Sequence, residues 1–205
     1  MSNLKQAYSR PPADSSERFA ESMAHLIQNM QRSGGSAQRF LDDIVQMIQR
    51  NYRIREVSIG LESPKDAAFK YVSFCGFRKD AEMALRRLSY SGEDFANEPV
   101  GRQISPWTWL FLSENKPFEE GEESTYNRPI MLERGGRQSP DRCLEADYFD
   151  TRIYDRRNKF IGWIEYSGTT DYSFPEIRTI KEIELIAEIL AITLESRKQR
   201  QQMAL

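Results

Sequence analysis

Apolar positions recur along this chain with two different periods, and the places where the period changes divide it into elements. Starting at Ser15 or Ser16, Phe19, Met23, Leu26, Ile27 and Met30 recur at helical spacing in an otherwise polar segment. That pattern predicts an amphipathic helix ending in the flexible break Ser33-Gly34-Gly35-Ser36. A second helix is expected from Ala37 to Tyr52, where Phe40, Leu41, Ile44, Val45, Met47 and Ile48 form a broader apolar face suited to lying on a sheet. The period then drops to two. Val57, Ile59 and Leu61 alternate with Ser58 and Gly60, and Ser63 to Asp66 reads as a turn. The partner strand covers residues 68–77, with Phe69, Tyr71, Ser73, Cys75 and Phe77 expected on one face and Lys70, Val72 and Phe74 on the other.

Helical spacing returns between Lys79 and Leu88, and Ser89 to Gly101 reads as loop with room for a short strand. Ser105-Pro106 has the form of an N-cap followed by a first-turn proline. A short helix carrying Trp107, Trp109, Leu110 and Leu112 is therefore expected to run as far as Asn115. Pro117 to Ser124 suits a short acidic strand, and Gly121 to Arg142 an exposed excursion. A clearer hairpin follows: Asp147 to Asp155 and Lys159 to Ser167 flank a polar turn at Arg156-Arg157-Asn158. After Phe174-Pro175-Glu176 a helix extends to about Gln199. One of its stripes is Ile180, Ile183, Ile186, Ala187 and Leu190; the other is Leu185, Ile189 and Ile192. Two apolar stripes need two partners, so this helix is expected to pack on the sheet and to meet a second copy of itself.

Composition agrees with one core and an appendage. The 205 residues are 39% hydrophobic and 29% charged, with a mean hydropathy of -0.67. The 29 basic and 31 acidic residues leave no field that would gather a phosphate backbone, so nucleic acid is not expected as a partner. The most apolar stretch, Ile183 to Leu194, is interrupted by Glu188 and too short for a bilayer, and the first residues hold no apolar signal core. Cys75 and Cys143 are far apart with no metal-type spacing, which points to a reducing compartment and a cytoplasmic protein. His25, the sole histidine, lies on the first helix with no ligand-type neighbours, and it suits a surface or structural role better than a metal site or a triad.

The order helix, strand, strand, variable middle, hairpin, final helix resembles that of a GAF sensory domain over about residues 36–200. The residues that carry the likeness are the hairpin R-I-Y-D-R-R-N-K-F-I-G-W-I-E-Y, with Gly162 at the family's glycine after the turn, the entry F-P-E-I, and the helix E-L-I-A-E-I-L-A-I-T-L-E-S. The resemblance implies an α+β fold with a central antiparallel sheet of about six strands, terminal helices on one face and loops and short helices over a small-molecule pocket on the other. It also implies a homodimer formed through flanking helices. Residues 1–14 would be a flexible lead, 15–35 a signalling or dimerisation helix with its break, 36–200 the domain and 201–205 a tail. No kinase box, helix-turn-helix pattern or nucleotide loop accompanies the domain, so either its output is expected to pass to a signalling partner or the chain is a fragment of a larger sensor.

Three chemistries known for the family are weighed on the residues. N-K-P-F-E-E-G-E-E at 115–123 matches the letters of a cyclic-nucleotide motif, but it stands where the family has none; the corresponding places hold Ser167-Gly168 and Arg178-Thr179. Free methionine sulfoxide reductases use cysteine thiolates in the middle segment, and the matching stretch here, Ile104 to Trp107, has no cysteine. Cys75 suits a small buried strand residue and Cys143 an exposed, oxidisable position in the excursion, which keeps a thiol redox role as an alternative. A tetrapyrrole is not favoured, since the histidine precedes the domain and no cofactor is required by the residues. What remains is an aromatic and polar set fit to line a pocket: Phe69, Tyr71, Ser73, Trp107, Trp109, Tyr148, Arg152, Tyr154, Trp163 and Glu165. Arg152 and Glu165 carry charge in mid-strand, with mutual pairing across the hairpin as the plain reading. A protein-interaction domain without a pocket is the rival, with the three tryptophans as core.

Overall fold

The computed structural model describes residues 15–32, 36–96, 101–115, 122–129, 137 and 139–203. Helix α1 is Ser15–Arg32 and α2 is Ala37–Tyr52. Ser36 caps α2, its Oγ accepting from the backbone N–H of Arg39 at 3.1 Å, and Arg53 closes it in the left-handed conformation. The strands are β1 (Val57–Glu62), β2 (Phe69–Cys75), β3 (Arg102–Gln103), β4 (Thr108–Phe111), β5 (Tyr148–Tyr154) and β6 (Phe160–Tyr166). Short helices α3 (Lys79–Leu85) and α4 (Gly92–Ala96) lie between β2 and β3, and α5 (Ile177–Met203) ends the described chain. The 1–14 lead, the Gly34-Gly35 break, residues 117–121 of the expected acidic strand and residues 130–136 and 138 of the excursion lie outside the described residues, and the end of that expected strand, Glu122–Thr125, is a 3-10 turn.

All strand pairs are antiparallel, in the order β2-β1-β6-β5-β4-β3. β6 and β5 stand at the centre, and β1 and β6 are buried on both faces over most of their length. One face receives α2 and α5, with α1 packed on α2 through buried Met23 and Leu26. The core of this layer holds Ile44, Val45 and Ile48 of α2, Ile59 of β1, Ile153 of β5, and Ile183, Ile186 and Leu190 of α5. Of the second stripe of α5, Ile189 packs against this core, whereas Leu185 and Ile192 are 48% and 50% exposed.

Two expectations from sequence are corrected. The Ile104–Leu112 helix is a tight turn and a strand. Ser105 Oγ accepts from the N–H groups of Trp107 and Thr108, each at 3.1 Å, and the chain then pairs as β4 with β3 and β5. Ser-Pro serves a turn as well as a helix start, because a serine before proline makes the same side-chain bonds in both. The alternation decides between them, with Thr108 and Leu110 buried and Trp109 and Phe111 half-buried.

The second correction concerns β2. Ile59 pairs with Ser73 and Gly60 with Tyr71, so Val72 is one residue too many and makes a β-bulge. The extra residue reverses the alternation. Phe69 and Tyr71 face away from the helices, whereas Ser73 donates to Asp42 Oδ1 of α2 at 2.7 Å and Cys75 Sγ lies 3.0 Å from Gln49 Oε1. Ser73 therefore leaves the candidate pocket set.

On the face opposite the helices, Trp163 of β6 lies over Gly60 of β1, its cross-strand neighbour. A Cβ at Gly60 would collide with the indole ring, and one at Gly162 with the carbonyl oxygen of Gly60. Replacing Gly60 by Ala is expected to cost about 2–4 kcal/mol, seen as a lower urea midpoint, and to shift the Trp163 fluorescence; a midpoint unchanged within error would show that the ring can move aside.

Candidate functional site

The face of the sheet turned away from α2 and α5 is aromatic. Phe69, Phe95, Phe160 and Trp163 form a plug, with ring centroids 4.9 Å apart for Phe69–Phe160, 4.8 Å for Phe95–Phe160 and 4.9 Å for Phe95–Trp163. Tyr71 and Tyr90 pack edge-on against Trp163 at 5.2 and 5.9 Å. Backbone bonds between Phe69 and Tyr90, at 2.8 and 2.9 Å, bring the loop after α3 back onto β2 and so place Tyr90 there.

Beside this plug a cavity of about 400 Å³ opens between the sheet, the α3 segment and the turn at Glu122–Thr125. Three of the residues expected to line a pocket do so: Tyr71, Tyr148 and Glu165. Tyr71 donates its hydroxyl to Glu165 Oε2 at 2.8 Å, and Tyr148 stacks on Phe111 with centroids 4.7 Å apart. Burial, followed by the negative charge of Glu165, holds the phenols of Tyr71 and Tyr148 well above their ordinary pKa, so both stay protonated. Tyr90 is raised for the same two reasons.

The other candidates are placed elsewhere. Phe69 and Trp163 belong to the plug rather than the cavity wall. Trp109 lies under the Arg152 guanidinium, 4.4 Å from carbon to ring centroid, and Arg152 Nη2 donates to the carbonyl of Phe95 at 2.9 Å. The strand register sets Arg152 opposite Trp163 and Asp150 opposite Glu165, so Arg152 and Glu165 stand diagonally on one face of the hairpin rather than directly opposed. Trp107 is 41% exposed and packs on Tyr154 at 5.8 Å, lining a shallow cleft against Glu188 and Ile192 of α5. Sequence reasoning missed Tyr90, Tyr126, Asn127, Glu56 and Glu145, which line the cavity from loops and strand ends without a periodic signal.

A polar wall closes one end of the cavity. Glu56 accepts from Asn127 Nδ2 at 2.9 Å and from the Ser167 hydroxyl, and Arg128 lies 3.6 Å from it. Arg128 also pairs with Glu145 at 3.1 Å, while Tyr172 packs against the guanidiniums of Arg55 and Arg128. Burial, then the charge of Glu56, pushes the Glu145 carboxyl up. Asp147, fully buried, pairs with Arg137 at 2.9 Å and accepts from Ser113 N–H at 2.9 Å.

Tyr166 at the end of β6 and Ser167 after it also line the cavity, and from the Tyr166 side chain, which sits in the helix-side core, a chain of hydroxyls runs from strand to strand towards α5. Tyr166 Oη lies 3.3 Å from Thr151 Oγ1, which lies 2.9 Å from Thr108 Oγ1, and Thr108 donates to Glu184 Oε1 of α5 at 2.9 Å. Glu184 also accepts from the Ser105 hydroxyl and pairs with Lys181 at 2.9 Å.

Cys143 is buried, contrary to the exposed position expected for it. Burial, with Asp147 adding to it, pushes its thiol up to about 12. The excursion folds back through Cys143 N–H to the carbonyl of Tyr172 at 2.8 Å, and this covers the side chain. Cys75 is half-buried and its thiol is also raised by burial. Both are free thiols, and neither has the depressed pKa of an attacking cysteine. Among the described residues no group of His, Cys, Asp and Glu could hold a metal, and no helix is long and apolar enough to cross a membrane.

No family model and no curated protein matches the chain. Solved structures do. The GAF domain of an Acinetobacter phosphoenolpyruvate-protein phosphotransferase superposes with a TM-score of 0.58 at 12% identity, covering 92% of this chain and 97% of that one. This chain has the GAF fold. The GAF domain of a Coxiella burnetii phosphoenolpyruvate-protein phosphotransferase gives 0.54 at 11% identity over 94% and 100% of the two chains. A free methionine-R-sulfoxide reductase from Neisseria meningitidis, solved with its substrate, gives 0.55 at 9% identity over 93% and 96%. The GAF fold thus hosts sensory domains and an enzyme alike, and the site has to decide between them.

Two outcomes follow from these geometries. Burial raises the Glu184 carboxyl, but its bonds from Ser105, Lys181 and Thr108 outweigh that and hold it below the ordinary value. The carboxylate therefore stabilises the fold above the ordinary carboxylate range and loses that contribution as pH falls through its lowered value. In Glu184→Gln the stability difference between about pH 7 and about pH 3 should narrow in urea titrations, and an unaltered difference would refute the assignment. At about pH 8, iodoacetamide should label Cys143 only after unfolding, because its thiol is both covered and neutral there; rapid labelling of the native protein would contradict this.

Proposed function

We propose that the chain is a non-enzymatic sensory module that binds a small molecule in the cavity beside Tyr71, Tyr148 and Glu165. The carrying observation is the cavity itself. Its volume falls within the range of small-molecule sites, and apolar walls from Phe77, Leu85 and Leu88 surround a few placed polar groups. The raised thiols of Cys75 and Cys143 weigh against thiol catalysis of the sulfoxide reductase type.

Transmission runs from the cavity wall through the Tyr166, Thr151 and Thr108 hydroxyls to Glu184 on α5. The exposed stripe of Leu185 and Ile192 on α5, with Ile27 on α1, is the surface through which two copies associate and hand the state to a signalling partner. A fold shared with GAF domains of phosphoenolpyruvate-protein phosphotransferases and of a putative sensor histidine kinase from Pseudomonas syringae supports this reading by analogy.

The test is unbiased. The purified chain is denatured and its supernatant analysed by mass spectrometry, and the native chain is screened against a metabolite panel by thermal shift. A compound at a hundredfold excess over its Kd should add about 2.7 kcal/mol of stability, a rise of about 5–11 °C in Tm, and Tyr148→Ala should abolish the rise. A panel with no shift and no released molecule would overturn the proposal. For assembly, Leu185→Asp with Ile192→Asp should lower the mass seen by light scattering from dimer to monomer.

A further inference from the structure

The hydrogen bonds already made around the cavity decide what an occupant can add to them, an inference that rests on reading the cavity as a ligand site. Its carboxylates are engaged: Glu56 by Asn127 and Ser167, Glu145 by Arg128, Asp147 by Arg137, and Glu165 by Tyr71. Asn127 donates from its amide nitrogen to Glu56 and to the carbonyl of Gly76, and its oxygen accepts the N–H of Arg78, so it is satisfied as well. Thr125 donates to the carbonyl of Glu122, Tyr90 bonds to Tyr71, and Glu122, Ser124 and Tyr126 have partners of their own. A ligand N–H or O–H brought here finds these acceptors taken, and a donor buried without a partner loses affinity. A ligand cation finds each of the carboxylates already partnered.

Tyr148 differs from the rest of the lining. Its hydroxyl has no hydrogen-bond partner among the described residues, and it is not one of the sealed polar atoms of the interior. It therefore opens into the cavity that its side chain lines. Stacking on Phe111, at 4.7 Å and 11° between ring planes, fixes the ring, and the groups acting on the hydroxyl include Glu165, Tyr126 and Tyr90, all of them lining residues. Burial and these neighbours keep the phenol protonated, so it has a proton to donate at neutral pH. An anion taking that proton would lose its water next to the charge of Glu165, whereas a neutral acceptor would not. Arg87, the other lining side chain without a bond among the described residues, is exposed and keeps its charge in water.

We propose that the cavity takes a small neutral molecule whose polar end is a carbonyl oxygen, bonded by the Tyr148 hydroxyl, and whose apolar body lies against Phe77, Leu85 and Leu88. A carbonyl accepts the one free proton of the lining and brings none that would need an acceptor in return. The apolar side chains cover the remainder, which is the usual division of labour in a small-molecule site.

The experiment is ligand-observed NMR titration of the full chain and of Tyr148→Phe, which keeps the ring and removes only the hydroxyl. The probes are cyclohexanone, its carbon isostere methylenecyclohexane, and the charged relatives cyclohexylamine and cyclohexanecarboxylate. Cyclohexanone should bind the native chain about threefold to tenfold tighter than it binds Tyr148→Phe, the range of one neutral hydrogen bond, and methylenecyclohexane should bind the two equally. Both charged probes should bind more weakly than cyclohexanone, and thermal melts establish that the variant is folded. Cyclohexanone binding that is unchanged in Tyr148→Phe overturns the hydrogen-bond assignment, and tighter binding of either charged probe overturns the neutral one; each leaves the ligand-site reading standing. Absence of binding by all four probes overturns the proposal as well, and if the unbiased screen is also empty the ligand-site reading falls with it.

Discussion

The structure depends on the need to cover β6 on both sides. Phe160–Tyr166 sits in mid-sheet between β1 and β5, and its residues from Ile161 to Ile164 are buried regardless of the face they occupy. A strand in that position requires two apolar layers. One is supplied by α2 and α5, whose aliphatic stripes fit a pleated surface. The other has no long helix to supply it and is assembled from Phe69, Phe95, Phe160 and Trp163, around a close approach that only the glycine at position 60 permits. Short elements between β2 and β3 cover that layer incompletely, and the cavity is what their packing leaves open.

Polar chemistry divides along the same lines. On the helix side, buried hydroxyls and the Glu184 carboxylate are mutually satisfied, which is the condition for burying them at all. On the cavity side, the carboxylates of Glu56, Glu145 and Asp147 are each paired with an arginine that does not itself line the cavity. Unpairing any of these carboxylates would leave a buried charge, at a cost of about 3–5 kcal/mol, and the wall is thus tied to the stability of the whole domain.

Much of the fold was legible in the sequence, because its long elements announce themselves by period. The spacing of Phe40 to Ile48 and of Ile180 to Leu190 marks the core faces of α2 and α5, and the polar turn at Arg156-Arg157-Asn158 marks the β5–β6 hairpin. The candidate site was legible only where it sits on regular strands, at Tyr71, Tyr148 and Glu165. Ser73 was assigned to the wrong face because an inserted bulge residue has no compositional mark, and Trp107 and Trp109 were put on a helix because Ser-Pro opens turns and helices with the same bonds. Tyr90, Tyr126 and Asn127 were invisible for a different reason. They reach the cavity from loops whose positions are set by long-range pairing, such as the bridge between Phe69 and Tyr90.

The bulge at Val72 does more than reverse an alternation. It divides one short strand between two sides of the molecule: upstream, Tyr71 is bonded to Glu165 in the cavity, and downstream, Ser73 and Cys75 are bonded to Asp42 and Gln49 on α2. β2 therefore anchors the cavity and the helix layer with one strand, which changes sides at a single residue that has no partner in the ladder.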